Sequence, residues 1–438
     1  MKIAYIDGRR FRRGLIVGAR RLIESAGLLD RINVFPVADG DTGANMAATI
    51  RALTNGLAVA TVPSIGATAR LAADAALFGA RGNSGAIMAQ FFYGLAEDLA
   101  SEVRVGTKRF ATALCRAAKS ACEALSAPKE GTIVTVLHDW AEAAHRVAQK
   151  TDDFMEMLHV ALDAARLSLE RTKDMLPELR KAGVVDAGAL GFVKLIEGIS
   201  AFIQQGRIRD LPEELANATA FTADSIGEVF PVDGTEPNLR YCVEALIAGQ
   251  DMDASALRSG LEAIGDSVVV AGSPRWLKAH VHSNEPTLAF RAMEALGTVE
   301  QPKVDDMLLQ TRRVAAGRRA CAVLVDSASD FPDALRLQLG VEQVPVQVIM
   351  GDITRLDGVG LSTGEFTAYL KGSPAIYPTT SQPSHIAFSR KFDLALAHAD
   401  DAVYVGISEP LSGTLAAGRR AALASTNAAR LRIVDSGQ

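Results

Sequence analysis

The sequence predicts a multidomain fold in three parts: an all-α N-terminal region, a small α+β middle domain and a C-terminal α/β lobe built on a parallel sheet. Three observations lead there. The chain has 438 residues, more than one ordinary core accommodates, so two to four domains are expected. Apolar positions recur with helical spacing through residues 1–205 and change period near Leu239. From Cys321 onward, short apolar runs alternate with helical stretches. That alternation is the pattern of a parallel sheet covered on both faces.

Taken in order, residues 1–205 read as helices over 9–28, 44–60, 65–79, 84–99, 108–126, 132–149, 153–173 and 188–204. Glycines and prolines punctuate them: Gly40 and Gly43, Pro63, the Gly79–Gly85 stretch, Pro128 and Gly131, Pro177 and Gly183. Residues 206–238, with Pro212, Pro231 and Pro237, read as a linker. Within 239–300, LRYCVEALI, DSVVVAG and WLKAHVHS read as strands, with helices near 254–264 and 286–297. A second linker is expected over 301–320. In 321–438 the strands are CAVLVDSASD, VEQVPVQVIM, AVYVGIS and LRIVDS, with helices near 332–339, 363–371, 384–399 and 413–425.

Composition narrows the function classes. The net charge of -5 provides no basic field to recruit nucleic acid. Arg9, Arg10, Arg12 and Arg13 cluster at the first helix, where a solvated face is the ordinary reading. Four scattered cysteines do not make a disulfide framework. Without a leader-like N-terminus or an uninterrupted apolar run of about 18 residues, a cytoplasmic protein with no membrane span is expected.

Four loops concentrate polar chemistry. NVFPVADGDTGANM (33–46) places Asp39 and Asp41 around Gly40, so that two hard carboxylate ligands converge beside a helix start near Ala44. That arrangement suits Mg²⁺, and the free N–H groups of the helix would face a phosphate. Read alone, DGDTG is equally a turn in which Asp41 or Thr42 caps a helix. GARGNSGAIMAQ (79–90) offers backbone N–H groups for phosphate, although it lacks the Lys–Ser/Thr ending of a Walker A loop. EGTIVTV (130–136) and AGVVDAGALGF (182–192) each pair a Gly turn with a polar residue, Thr132 and Asp186, at a helix start. Each of these, read alone, is an ordinary capped helix.

Together and in this order, the four segments resemble the dihydroxyacetone-kinase L domain, most closely the catalytic subunit of bacterial fatty acid kinase. The IDG at residues 6–8 adds to the match. The resemblance implies an all-α helical barrel kinase domain with ATP and Mg²⁺ held by loops at one end. It implies Asp39 and Asp41 as catalytic metal ligands, and Thr42, Gly43, Asn45, Asn83, Ser84 and Gly85 as nucleotide contacts, joined by Thr132 and Asp186. Dihydroxyacetone kinases carry a third Asp before this loop. Here Asn33, offset by one position, is the nearest polar residue and takes the place of third ligand.

In the middle domain, His280 and His282 fall on one face of a predicted strand, and Cys242 lies on another. Two imidazoles and a thiolate suit Zn²⁺, with a fourth ligand unidentified; the other reading is a polar strand face with an unrelated buried Cys. The fatty acid kinase middle domain has a similar YC…HVH arrangement that binds zinc. In the C-terminal lobe, VDSASDFP (325–332), PTTSQPS (378–384) and GISEPLSGT (406–414) resemble the DegV-like fatty-acid-binding proteins. That likeness implies Thr380, Ser381 and Ser412 as hydroxyls for a fatty acid carboxylate, on a partial copy of the binding module. Hydroxyls at the carboxyl ends of parallel strands suit such a ligand.

The function so implied is ATP-dependent phosphorylation of a fatty acid carboxylate to an acyl phosphate. A homodimer is expected, with fatty acid and a separate fatty-acid-binding protein as partners. A kinase for a small hydroxyketone such as dihydroxyacetone, and a lipid-binding regulatory protein with an inactive kinase loop, are the alternatives.

Overall fold

The structure, a computed structural model, describes residues 2–59, 62–204, 236–372 and 375–438. In the N-terminal region the described elements are β1 (Ile6–Asp7), α1 (Gly8–Glu24), α2 (Ala26–Arg31), α3 (Thr42–Val59), α4 (Ile65–Gly79), α5 (Gly82–Asp98), β2 (Arg104–Val105), α6 (Thr107–Glu123), α7 (Ile133–Ala148), α8 (Phe154–Met175), α9 (Pro177–Ala182) and α10 (Ala187–Gln204). Several starts follow directly from local sequence. Asp7, Ser64 and Asp153 accept backbone N–H groups at the heads of α1, α4 and α8. Pro177 opens α9, and Gly183 ends it in the left-handed region.

Small side chains let these helices approach closely. A Cβ on Gly18 of α1 would lie 2.6 Å from the Leu195 carbonyl oxygen of α10. The core between the helices is rich in alanine, with Leu, Ile and the aromatic trio Phe91, Trp140 and Phe192 filling wider gaps. By length and composition α10 could cross a membrane, yet most of it is buried in this helical core.

The region from Tyr241 onward contains β3 (Tyr241–Ala248), α11 (Ala254–Glu262), β4 (Gly265–Ser273), β5 (Trp276–Ser283), α12 (Pro286–Glu294), β6 (Thr298–Asp306) and α13 (Met307–Ala316). Its sheet has the order β4-β5-β3-β6. The expected linker 206–238 lies almost wholly outside the described residues. The expected linker 301–320 needs correction, because β6 continues through it and α13 follows. Asp306 caps α13 through Leu309 N, and Met307 and Leu309 give that helix a buried face.

The C-terminal region contains β7 (Arg319–Asp326), α14 (Asp333–Leu339), β8 (Glu342–Val344), β9 (Gln347–Met350), β10 (Ile353–Leu356), α15 (Thr363–Lys371), β11 (Thr379–Ser381), α16 (His385–Ala397), β12 (Ala399–Gly406), α17 (Thr414–Ala424) and β13 (Leu431–Asp435). It is α/β, as expected. Strands β13-β12-β7-β8 form a parallel sheet. A second, antiparallel sheet has the order β10-β9-β11. VEQVPVQVIM, expected as one strand, is therefore two strands in two sheets. Pro345 lies between them and has no N–H to continue a ladder.

Two compact units divide the chain. One combines the described residues up to Gln204 with Leu246–Val281, and the other combines Glu236–Ala245 with His282–Gln438. The second unit holds a buried chain of charges. Lys303 bridges Glu244 (2.8 Å) and Asp305 (3.0 Å), and Lys391 bridges Asp305 (3.4 Å) and Glu342 (3.1 Å). Arg313 closes on Glu342 at 2.7 Å, and Arg390 pairs with Asp305. Burial works against ionising Asp305, but Arg390, Lys303 and Lys391 hold its carboxyl well below the usual range.

Two glycines of α1 provide a matched test of helix packing. At Gly14 a Cβ would meet only Ile199 Cγ2 at 3.7 Å, so Gly14→Ala is expected to stabilise by about 0.5–1 kcal/mol through helix propensity. At Gly18 the same methyl meets the α10 backbone, so Gly18→Ala is expected to destabilise by about 1–3 kcal/mol. Urea unfolding of both variants checks this; equal effects at the two positions would contradict the packing described.

Candidate functional site

The first loop is shaped by α2 lying beneath it. Gly40 turns the chain with φ 69°, and α3 begins at Thr42. Asp30 of α2 accepts the N–H of Ala44 at 3.0 Å and also that of Gly43. A Cβ on Gly43 would lie 2.0 Å from the Ala26 carbonyl oxygen and 2.9 Å from Asp30 Oδ1. Glycine at 43 is thus required by close approach. These contacts correct one expectation: the N–H groups of Gly43 and Ala44 are occupied by Asp30 and do not await a phosphate.

Asn33 donates through Nδ2 to Asp39 Oδ1 at 2.6 Å, while its own Oδ1 is buried without a partner. Burial, followed by the neighbouring Asp41, pushes the Asp39 carboxyl well above its ordinary range. Burial is also the main cause that raises Asp30 to about 7, opposed by the N–H of Ala44 and reinforced by Asp41. Asp30 and Asp39 thereby stand, with Asp41 beside them, where burial makes their own ionisation costly without a cation. Sequence reasoning missed Asp30. Nothing local in LLDR marks it, because the N–H it serves is 14 residues further on.

The remaining loops meet this one. Thr49 Oγ1 of α3 donates to Asn45 O (2.9 Å) and accepts from Arg81 N (3.2 Å). Asn45 is buried, with its amide against Gly82. Asn83 Oδ1 is buried and has no partner. Ser84 Oγ faces Gly188, where a Cβ would come within 2.7 Å of it. Asp186 accepts from Ala189 N at 2.7 Å and from Ile133 N, while its own N–H donates to Thr172 Oγ1 at 3.0 Å. This residue therefore clamps the heads of α10 and α7 to α8. Thr132 Oγ1 donates to Lys129 O at 2.7 Å. The four motifs lie together at one end of the helical domain, with Thr132 and Asp186 engaged in holding it.

Cys242 on β3 and His280 and His282 on β5 lie on neighbouring strands. Their ligand atoms are all within 4.8 Å of one another, and all three residues are buried. Glu244 Oε1 lies 3.5 Å from Cys242 Sγ.

The C-terminal hydroxyls are placed differently from expectation. Ser412 follows β12 of the parallel sheet, its Oγ accepting from Thr414 N at 3.2 Å. Thr380 and Ser381 stand on β11 in the separate antiparallel sheet, opposite Val348 and Gln347. The segments still approach, since Gln382 Oε1 lies 3.0 Å from a Cβ placed on Gly413. Asp326, buried at the end of β7, accepts from Tyr404 Oη and Ile407 N, each at 2.8 Å, and anchors the loop after β12. Tyr377, Ile386 and Leu411 are exposed apolar side chains in these segments.

Comparison with known proteins defines the class. Residues 36–201 match the DAK2 domain, 238–314 the FakA-like middle domain of fatty acid kinase, and 320–438 the DegV family. The chain is thus a fatty-acid-kinase-like fusion of a DAK2 domain, a middle domain and a DegV domain. Among particular relatives, it is 33% identical over 327 residues to protein SSP1546 of Staphylococcus saprophyticus; the match takes in 71% of this chain and 57% of that protein. A fatty-acid-binding DegV family protein from Thermus thermophilus is 34% identical, covering 26% of this chain and 40% of that one, with a TM-score of 0.25. A dihydroxyacetone kinase from C. freundii, solved with AMP-PNP and Mg²⁺, is 20% identical, covering 44% and 33%, with a TM-score of 0.34.

The Asp186 clamp has a pH signature. Burial raises its carboxyl from 3.8 to about 6, against the N–H groups of Ala189 and Ile133. Between pH 4 and 6 the folded state therefore holds more proton at this site than the unfolded state, so its contribution to stability falls as pH rises. Asp186→Asn keeps an acceptor and cannot ionise. Its unfolding free energy relative to wild type is expected to rise from pH 4 to 6 and then level off. A pH-independent difference, measured by denaturant unfolding, would refute the assignment.

Proposed function

We propose that this chain transfers the γ-phosphoryl group of ATP to a fatty acid carboxylate, giving an acyl phosphate, with its DegV domain presenting the fatty acid. The observation that carries the reading is the meeting of four polar loops at one end of a DAK2 domain, around crowded carboxylates and two unpartnered amide oxygens. In this reading the helices form a barrel, with its site at the loop end and an α+β middle domain beyond.

Hard oxygen donors fit Mg²⁺. Asp39 and Asp41 would hold it, with the orphaned Asn33 Oδ1 as a third donor. When bound, Mg²⁺ offsets charge on the phosphate oxygens. Thr42, Asn45, Asn83, Ser84 and Gly85 face the nucleotide phosphates, and Asp186 and Thr132 keep the helix heads around them in place. A fatty acid carboxylate oxygen attacks the γ-phosphorus, and the bond from that phosphorus to the ADP oxygen breaks. The nucleophile is already ionised at neutral pH, so no general base is needed. Thr380, Ser381 and Ser412 offer hydroxyls to the carboxylate. A separate fatty-acid-binding protein and a homodimer belong to the same reading. The chain spans 57% of the length of its staphylococcal relative, and the activity of the longer protein enters here only as part of this proposal. Cys242, His280 and His282 would hold a structural Zn²⁺.

Two measurements test this. ATP turnover should depend on Mg²⁺ and on added long-chain fatty acid, with acyl phosphate trapped by hydroxylamine. Asp41→Ala should abolish it while leaving the helical circular dichroism unchanged. Turnover stimulated by dihydroxyacetone alone, or fatty acid binding without any turnover, would replace the proposal with one of its alternatives. Separately, protein prepared without chelator should carry about one zinc per chain, lost in Cys242→Ser. Zinc-free wild type would leave the cluster as a polar strand face.

A further inference from the structure

We propose that Asp30 is a positioning residue for the DGDTG loop: from the neighbouring helix α2 it caps α3, and so sets where Asp39 and Asp41 present their oxygens. The inference rests on the reading of those two carboxylates as cation ligands.

The geometry is specific. Helix α2 has only six residues, and Ala26 and Asp30, four apart, share one of its faces. Gly43 is seated on that face, too close to Ala26 O and Asp30 Oδ1 for any side chain. The first N–H groups of a helix have no partner within it and are ordinarily served by the residue just before the helix. For α3 that residue is Asp41, and a cap from it would go to Gly43 and Ala44. Those are the two N–H groups that Asp30 takes. Capping of α3 is thereby provided by a residue outside the loop. Asp41 O still accepts from Asn45 N at 2.9 Å, so the backbone start of α3 is regular.

Removing the acceptor at 30 leaves two N–H groups in need of an oxygen. With those groups unserved the first turn of α3 loses its anchor on α2, and the loop that carries Asp39 and Asp41 shifts with it. Asparagine at 30 retains an acceptor oxygen; alanine does not. The two substitutions therefore separate a positioning role from a charge or ligand role.

The test uses Mn²⁺ as the probe cation, with binding to the full chain followed by electron paramagnetic resonance, which needs no turnover. Asp30→Ala is expected to weaken Mn²⁺ binding by about tenfold or more, the scale of losing a helix cap. Asp30→Asn is expected to stay within about threefold of wild type on the same scale. Hydrogen exchange in the peptide carrying Gly43 and Ala44 should quicken in Asp30→Ala and not in Asp30→Asn. Asp30→Ser, with a shorter acceptor, gives a second readout if the alanine variant does not fold. Equal losses in Asp30→Asn and Asp30→Ala would overturn the proposal, because the charge would then be the active feature. Wild-type binding by Asp30→Ala would overturn it as well. A parallel Asp41→Ala arm identifies the other failure: if it too binds Mn²⁺ like wild type, the loop is not the cation site, and the reading on which the inference rests falls with it.

Discussion

Close helix approach through alanine and glycine is the constraint on which the helical domain depends. Where α1 meets α10, a glycine faces a backbone carbonyl. Where α3 meets α4, Gly79 lies against Ala52 and Gly56 against Ala75. Where α5 meets α6, Gly94 packs on Ser120. Helices this close bring their ends close as well, and the connecting loops have little room to diverge. Tight loops at one end of such a domain meet because the packing forces them together. The same small residues leave little side-chain bulk at those ends, so backbone groups and short polar side chains line them.

That site is electrostatically unfavourable in isolation. Asp30, Asp39 and Asp41 share a confined region, and burial raises two of them before any neighbouring charge is considered. The loop is held in this state by hydrogen bonds that do not depend on a cation: Asn33 to Asp39, and the N–H groups of Gly43 and Ala44 to Asp30. A preformed arrangement of this kind reduces the reorganisation needed when a cation binds. Asp186 acts similarly at the other loops, where one carboxylate fastens the heads of two helices to a third.

The second unit uses charge differently. Glu244, Asp305 and Glu342 are buried but threaded with Lys303, Lys391, Arg390 and Arg313. Such a chain costs desolvation and contributes little net stability, but removing any one member leaves a buried charge unmatched. It ties β3 and β6 to β8 and α16, so these parts of the unit are matched to one another by charge pattern as well as by apolar contact.

Much of this was legible in the sequence. The helical N-terminal region and the alternating C-terminal region follow from local periodicity, which depends only on neighbours a few residues away. The DGDTG and GARGNSG loops declared themselves through glycine and short polar residues, and HVH declared two imidazoles on one strand face. Three features were not legible. Asp30 carries no local signal, because its partners lie a loop away. VEQVPVQVIM looked like one strand because apolar alternation does not say which sheet receives each half, even with Pro345 in view. Thr380 and Ser381 looked like companions of Ser412 on one sheet edge, yet they stand on another sheet. The sequence by itself determined most helices and strands and which loops concentrate glycine and short polar residues, because those depend on short-range backbone preference. Only the tertiary structure decided which loops meet, which carboxylate caps which helix and which strands share a sheet, because those are set by contacts between residues far apart in the chain.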